Sequence, residues 1–136
     1  MAHTSKMAAG SPFPLIEASL IDGSTIDLGK PPGTADWQML VVYRGKHCPK
    51  CTSYLNRMEE YKNPLLEIGI SVAAVSADSK NQLTEHLEQL NVTYPIAYGL
   101  TEEQMKTMGL YISEPRPKET DPVSYTHLTL PTKRIV

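Results

Sequence analysis

The chain has two cysteines, Cys48 and Cys51, spaced Cys-Pro-Lys-Cys. They lie within Tyr43-Arg44-Gly45-Lys46-His47-Cys48-Pro49-Lys50-Cys51, which reads as the end of a buried strand, a tight basic loop and the opening of a helix. This arrangement favours nucleophilic sulfur. The free N–H groups and positive dipole end of a helix stabilise a thiolate over a thiol. Arg44, Lys46, His47 and Lys50 make the local field positive, and cations lower a thiol pKa from its ordinary value of about 8.5. Pro49 suits a first-turn position, where its missing N–H costs nothing and its fixed φ presets the helix.

Three readings of the pair are open from the residues alone. In the first, one sulfur attacks a disulfide or peroxide and the other resolves the intermediate. The second is a metal site built from Cys48, Cys51, His47 and His86, although a structural zinc takes four ligands and no second Cys-x-x-Cys or zinc-spaced His pair is present. In the third, the cysteines are buried core residues and the basic neighbours merely solvated loop positions.

The elements that must position the pair follow an alternating pattern. Residues 1–13 read as a mobile arm broken by Gly10 and Pro12. Leu15 to Leu20, an Asp22-Gly23 turn and Ile26 to Leu28 predict a hairpin. Trp37 to Tyr43 is a continuous apolar run, predicting a central strand buried on both faces. The helix after the cysteines carries Leu55, Met58 and Tyr61 on one face and is expected to break near Asn63-Pro64. Leu65, Leu66 and Ile68 would continue its apolar face. Ile70 to Ser76 predicts a second buried strand, and Ser79-x-x-Gln82 a capping box opening a helix through Leu83, Leu87 and Leu90. Val92 to Tyr98 reads as a further strand with Pro95 near its start, and Thr101-x-x-Gln104 caps a last short helix ended by Gly109. Such alternation implies an α/β layer fold whose active site lies beyond the strand C-termini, where the cysteines fall.

At 136 residues, with 40% apolar and 21% charged residues, the chain suits one globular domain. A net charge of −2 gives no electrostatic case for nucleic acid, and no apolar run is long enough to span a bilayer. The first ten residues lack the apolar centre of a secretory signal, so a cytoplasmic location is expected. In a reducing compartment a close cysteine pair is more often catalytic or metal-binding than structural.

The chain resembles the alkyl hydroperoxide reductase and thiol-specific antioxidant family, the peroxiredoxin-like branch of the thioredoxin superfamily. Leu15 to Leu28 looks like the opening hairpin, Leu40-Val41-Val42-Tyr43 like the strand before the active site, Val75-Ser76-Ala77-Asp78-Ser79 like the next strand and its cap, and Tyr94-Pro95-Ile96 like the one after. The resemblance covers residues 14–122 and implies a thioredoxin-like fold, a central mixed sheet flanked by helices. It implies a thiol peroxidase or thiol-disulfide oxidoreductase with no metal or organic cofactor. A hydroperoxide or disulfide would be the substrate, and a thioredoxin- or glutathione-type thiol the reductant. The usual Pro-x-x-x-Thr-x-x-Cys motif survives only in its last residue, with Arg44 in place of Pro and Cys48 in place of Thr if Cys51 is peroxidatic. Arg-Gly-x-x-Cys-Pro-x-Cys instead matches a subgroup with a thioredoxin-style pair, which implies Cys48 as attacker and Cys51 as resolver. The peroxidase register implies the opposite order.

Residues 123–136 do not resemble the family. The back-translation of residues 123–132 resembles a reading frame through a transposon-based sequencing adapter, so an interruption near Pro122 is expected. The C-terminal hairpin and helix that the resemblance implies, with their cis-proline, would then be missing, and one edge and one face of the sheet exposed.

Overall fold

The computed structural model describes residues 8–110. They form β1 (Glu17–Leu20), β2 (Thr25–Asp27), β3 (Trp37–Val42), α1 (Pro49–Glu67), β4 (Ile70–Val75), α2 (Lys80–Leu87), β5 (Ile96–Tyr98) and α3 (Glu102–Thr107). The sheet order is β2-β1-β5-β4-β3. β3, β4 and β5 run parallel, whereas β1 is antiparallel to both β2 and β5. This is the mixed sheet of a thioredoxin-like fold, with β1 and β2 paired as the predicted hairpin.

Side-chain alternation divides the interior into two layers. Leu40 and Val42 of β3, with Ala73 and Val75 of β4, face a core closed by Met105 and Met108 around α3. Met39, Val41 and Tyr43 face the other side, where Leu55 and Met58 of α1 and Leu83 of α2 cover them. Cys48 and Cys51 belong to this second layer. Both predicted capping boxes are formed, Ser79 with Gln82 and Thr101 with Gln104.

Several expectations need correction. Among the described residues β3 pairs with β4 alone and stands at the end of the sheet rather than in its middle. An apolar run reports burial of two faces, not the number of neighbouring strands. α1 continues through Pro64 without a break. Pro64 and Glu60 are both exposed, and on that face water can take the place of the N–H that Pro64 lacks. Of the residues expected to extend the apolar face of α1, Leu65 packs against the core, whereas Tyr61, Leu66 and Ile68 are half or more exposed. β5 begins only at Ile96, after Pro95, and not at Val92. The break near Pro122 and the composition of residues 123–136 lie outside the described residues.

Candidate active site

The parallel register brings the C-terminal ends of β3, β4 and β5 together, and the loops that follow them build the site. Beyond β3 the chain passes from Tyr43, whose N–H donates to the Val75 carbonyl at 3.1 Å, into the Arg44–His47 loop. The Cys48 N–H donates back to the Gly45 carbonyl at 3.1 Å, closing a tight turn. Cys48 is the N-cap of α1, in extended backbone geometry, and Pro49 occupies the first helical turn as its φ preference predicts.

Cys48 and Cys51 are joined by a disulfide, with Cα atoms 5.2 Å apart. The Cys51 N–H donates to Cys48 Sγ at 3.2 Å. Sulfur thus takes the part that a serine or aspartate oxygen usually plays at a helix start, receiving an otherwise orphaned N–H. Once the bond is reduced, the same donor and the helix dipole stabilise a Cys48 thiolate. The two sulfurs differ in access: Cys48 is 9% exposed and Cys51 1%.

The sequence profile of the AhpC/TSA family matches residues 9–136. The chain belongs to the AhpC/TSA family. Comparison with curated protein sequences gives no significant match. Among solved structures, the chain is similar to peroxiredoxin 6 of Arenicola marina (TM-score 0.68, 21% identity, 96% of this chain and 63% of that one). It is also similar to a peroxiredoxin-like protein from Aquifex aeolicus (0.67, 18%, 81% and 63%). A third relative is a thiol:disulfide interchange protein from Chlorobium tepidum (0.65, 16%, 90% and 84%). At these identities the likeness speaks to fold, and this AhpC/TSA chain spans 63% of the length of each of the first two.

Around the disulfide of this AhpC/TSA chain the predicted basic residues are placed unequally. Arg44, Lys46 and His47 are partly buried, whereas Pro49 and Lys50 are exposed. The Lys46 ammonium is ion-paired with Glu85 of α2, so part of its charge is compensated before it reaches the sulfurs. The four residues considered as metal ligands do not gather. His86 is fully buried and bonded to Thr52, the cysteines are bonded to each other, and among the described residues no three His, Cys, Asp or Glu side chains cluster in metal-binding fashion.

Sequence reading missed the polar groups that support the loop from behind. Asp78, just past β4, is fully buried, and its Oδ2 accepts the Lys46 N–H at 2.8 Å. Its own N–H donates to Ser76 Oγ at 3.2 Å, and its carbonyl accepts the Gly99 N–H at 2.8 Å. One residue therefore ties the β3–α1 loop, through its carboxylate, to the ends of β4 and β5, which its backbone N–H and carbonyl hold. The available signal was a polar Ser76-x-Asp78 directly after an apolar strand, at the end of the sheet where α/β sites gather. Tyr43, also buried, has its phenol pKa raised well above its ordinary 10.0 by burial; the Ser76 hydroxyl opposes this and the Asp78 carboxylate adds to it. It stays protonated throughout the range in which thiols titrate.

His86 is fully buried against the tilted Tyr43 ring, 5.9 Å between centroids. Burial lowers its pKa from 6.5, and the Lys46 charge adds to the effect. The folded state therefore binds this proton less readily than the unfolded chain does, so His86 contributes stability that is complete above about pH 6.5 and is lost as pH falls toward the depressed value. Denaturant midpoints of wild type and His86→Gln measured between about pH 8 and 5 should diverge in their acid dependence, with the wild type steeper below about pH 6.5. Parallel curves would show that His86 carries no such linkage.

Proposed function

We propose that the chain is a thiol-dependent antioxidant oxidoreductase, reducing hydroperoxides or disulfides with Cys48 as attacking and Cys51 as resolving sulfur. The observation that carries this reading is the placement of the pair: Cys48 is the more exposed sulfur, it caps α1 and it receives the Cys51 N–H, while Cys51 lies behind it. Membership of the AhpC/TSA family supports the same chemistry.

With a hydroperoxide, the Cys48 thiolate attacks one peroxide oxygen, the O–O bond breaks, and the alkoxide leaves as an alcohol after taking a proton. The resulting sulfenic acid is attacked by Cys51, the S–S bond forms and water departs. With a disulfide, Cys48 forms a mixed disulfide and expels one thiolate, and Cys51 then displaces the second. Either route ends in the Cys48–Cys51 disulfide, which a thioredoxin- or glutathione-type thiol returns to the dithiol with two electrons. The cytoplasm, whose thiol pools sustain such recycling, is the compartment this reading suits.

Stopped-flow mixing of the reduced protein with a hydroperoxide, and separately with a protein disulfide, tests the assignment. One of the two should consume both thiols per chain and release one equivalent of alcohol or dithiol. Failure with both, or one equivalent of zinc retained by the reduced protein and lost from either cysteine variant, would overturn it.

A further inference from the structure

Thr52 and His86 take no part in the sulfur chemistry written above, yet they connect α2 to the residue that performs it. His86 Nε2 lies 2.8 Å from Thr52 Oγ1, and Thr52 Oγ1 lies 3.4 Å from the Cys48 carbonyl oxygen. That carbonyl also accepts the Thr52 N–H at 3.1 Å. On the far side of the ring, His86 Nδ1 is buried and has no hydrogen-bond partner among the described residues. A buried N–H without an acceptor is rarer than an acceptor without a donor, which places the proton of the neutral imidazole on Nε2. The direction of each bond then follows. Nε2–H donates to Thr52 Oγ1, and the Thr52 O–H is left to donate to the Cys48 carbonyl.

We propose that His86, acting through Thr52, is a positioning residue that holds the Cys48 end of α1 in register with its own N–H groups. α2 is a firm base for this, fixed by its capping box and by Leu83 in the core. The residue beside His86, Glu85, grips the same loop through Lys46. The charged and titratable groups around the imidazole are Lys46 from the loop, Glu85 on its own helix and Tyr43 from the strand side. With the Cys48 carbonyl turned into the helix, the Cys51 N–H remains on Cys48 Sγ at 3.2 Å. Without the relay the Cys48 carbonyl keeps only the Thr52 N–H, the N-cap is held less firmly, the bond from the Cys51 N–H to sulfur weakens, and the thiolate becomes less favoured at neutral pH.

The functional consequence rests on the thiol-redox reading, but the test does not require turnover. Reduced full-length protein is alkylated with iodoacetamide across pH, Cys48 modification is followed by mass spectrometry, and the Cys48–Cys51 couple is equilibrated with glutathione. Thr52→Val and His86→Leu should slow Cys48 alkylation at neutral pH by about five-fold, move its pH midpoint upward and make the couple more reducing. Thr52→Ser and His86→Gln, which retain a donor, should stay within about two-fold of wild type. The Val/Leu double variant should be little worse than either single one, because both break one chain. Should His86→Leu fail to fold, the Thr52 pair decides alone. Wild-type behaviour of Thr52→Val, or equal impairment of Thr52→Ser, refutes the relay. If this variant pattern appears in a protein that reduces neither peroxide nor disulfide, the relay stands and the proposed function falls; turnover with a flat pattern has the opposite meaning.

Discussion

Cys48→Ser is expected to abolish turnover, by on the order of 10³-fold or more, and to leave no mixed disulfide with a protein substrate. Cys51→Ser should behave differently. Its Cys48 remains at the N-cap, attacks once, and accumulates as a mixed disulfide or sulfenic acid that only an external thiol can clear. The reasoning rests on access and on donors: Cys48 is the more exposed sulfur and the one aligned with the helix N–H groups, while Cys51 is 1% exposed. Non-reducing gels and intact mass after a single exposure to oxidant distinguish the two variants. Trapping by Cys48→Ser, with none by Cys51→Ser, would reverse the assignment and restore the peroxidase register in which Cys51 attacks.

The second large effect is expected at Gly45. Its φ is +134°, a conformation that residues with a Cβ rarely adopt, and an added Cβ would sit 3.1 Å from Asp78 Cγ. A flexible surface side chain could move aside. Asp78 cannot do so cheaply, because it is fully buried and holds the Lys46 N–H. Gly45→Ala should therefore cost about 2–4 kcal/mol, from backbone strain plus disruption of a buried carboxylate's hydrogen bonds. Urea unfolding measures it. Gly33→Ala is the control, since Gly33 also has positive φ, at +60°, but nothing within 4 Å of its added Cβ among the described residues, and its cost should be about 1 kcal/mol. Equal losses at both positions would show that the Asp78 contact is irrelevant.

Much of this architecture is legible in the chain because its signals are local. A capping box needs only four residues, and Ser79–Gln82 and Thr101–Gln104 both appear as read. The apolar runs ending at Tyr43 and Val75 locate β3 and β4, and the strand-to-helix step places Cys48 and Pro49 correctly. Misreadings arise where the deciding partner is distant in sequence or is the solvent. Pro64 is tolerated on the exposed face of α1, where water can replace the missing N–H, and strand order depends on neighbours that β3 does not encode. In the sequence Asp78 looks like an ordinary polar residue after a strand, and His86 like a candidate metal ligand on a short helix. Their importance comes from contacts across 32 positions to Lys46 and 34 to Thr52, which no local pattern contains.

The three-position separation of Cys48 and Cys51 bears on how little the fold depends on their bond. In the chain-entropy picture, so small a ring removes only about 2 kcal/mol of freedom from the unfolded chain, against roughly 4–5 kcal/mol for a bridge closing a hundred residues. In the proposed cycle, oxidation and reduction would therefore alternate on a scaffold whose folding balance changes little between the two states. In that cycle the dithiol would carry two electrons and the disulfide would be the form that has given them up, while the hydrophobic layers on either side of the sheet keep the shape as the bond opens and closes.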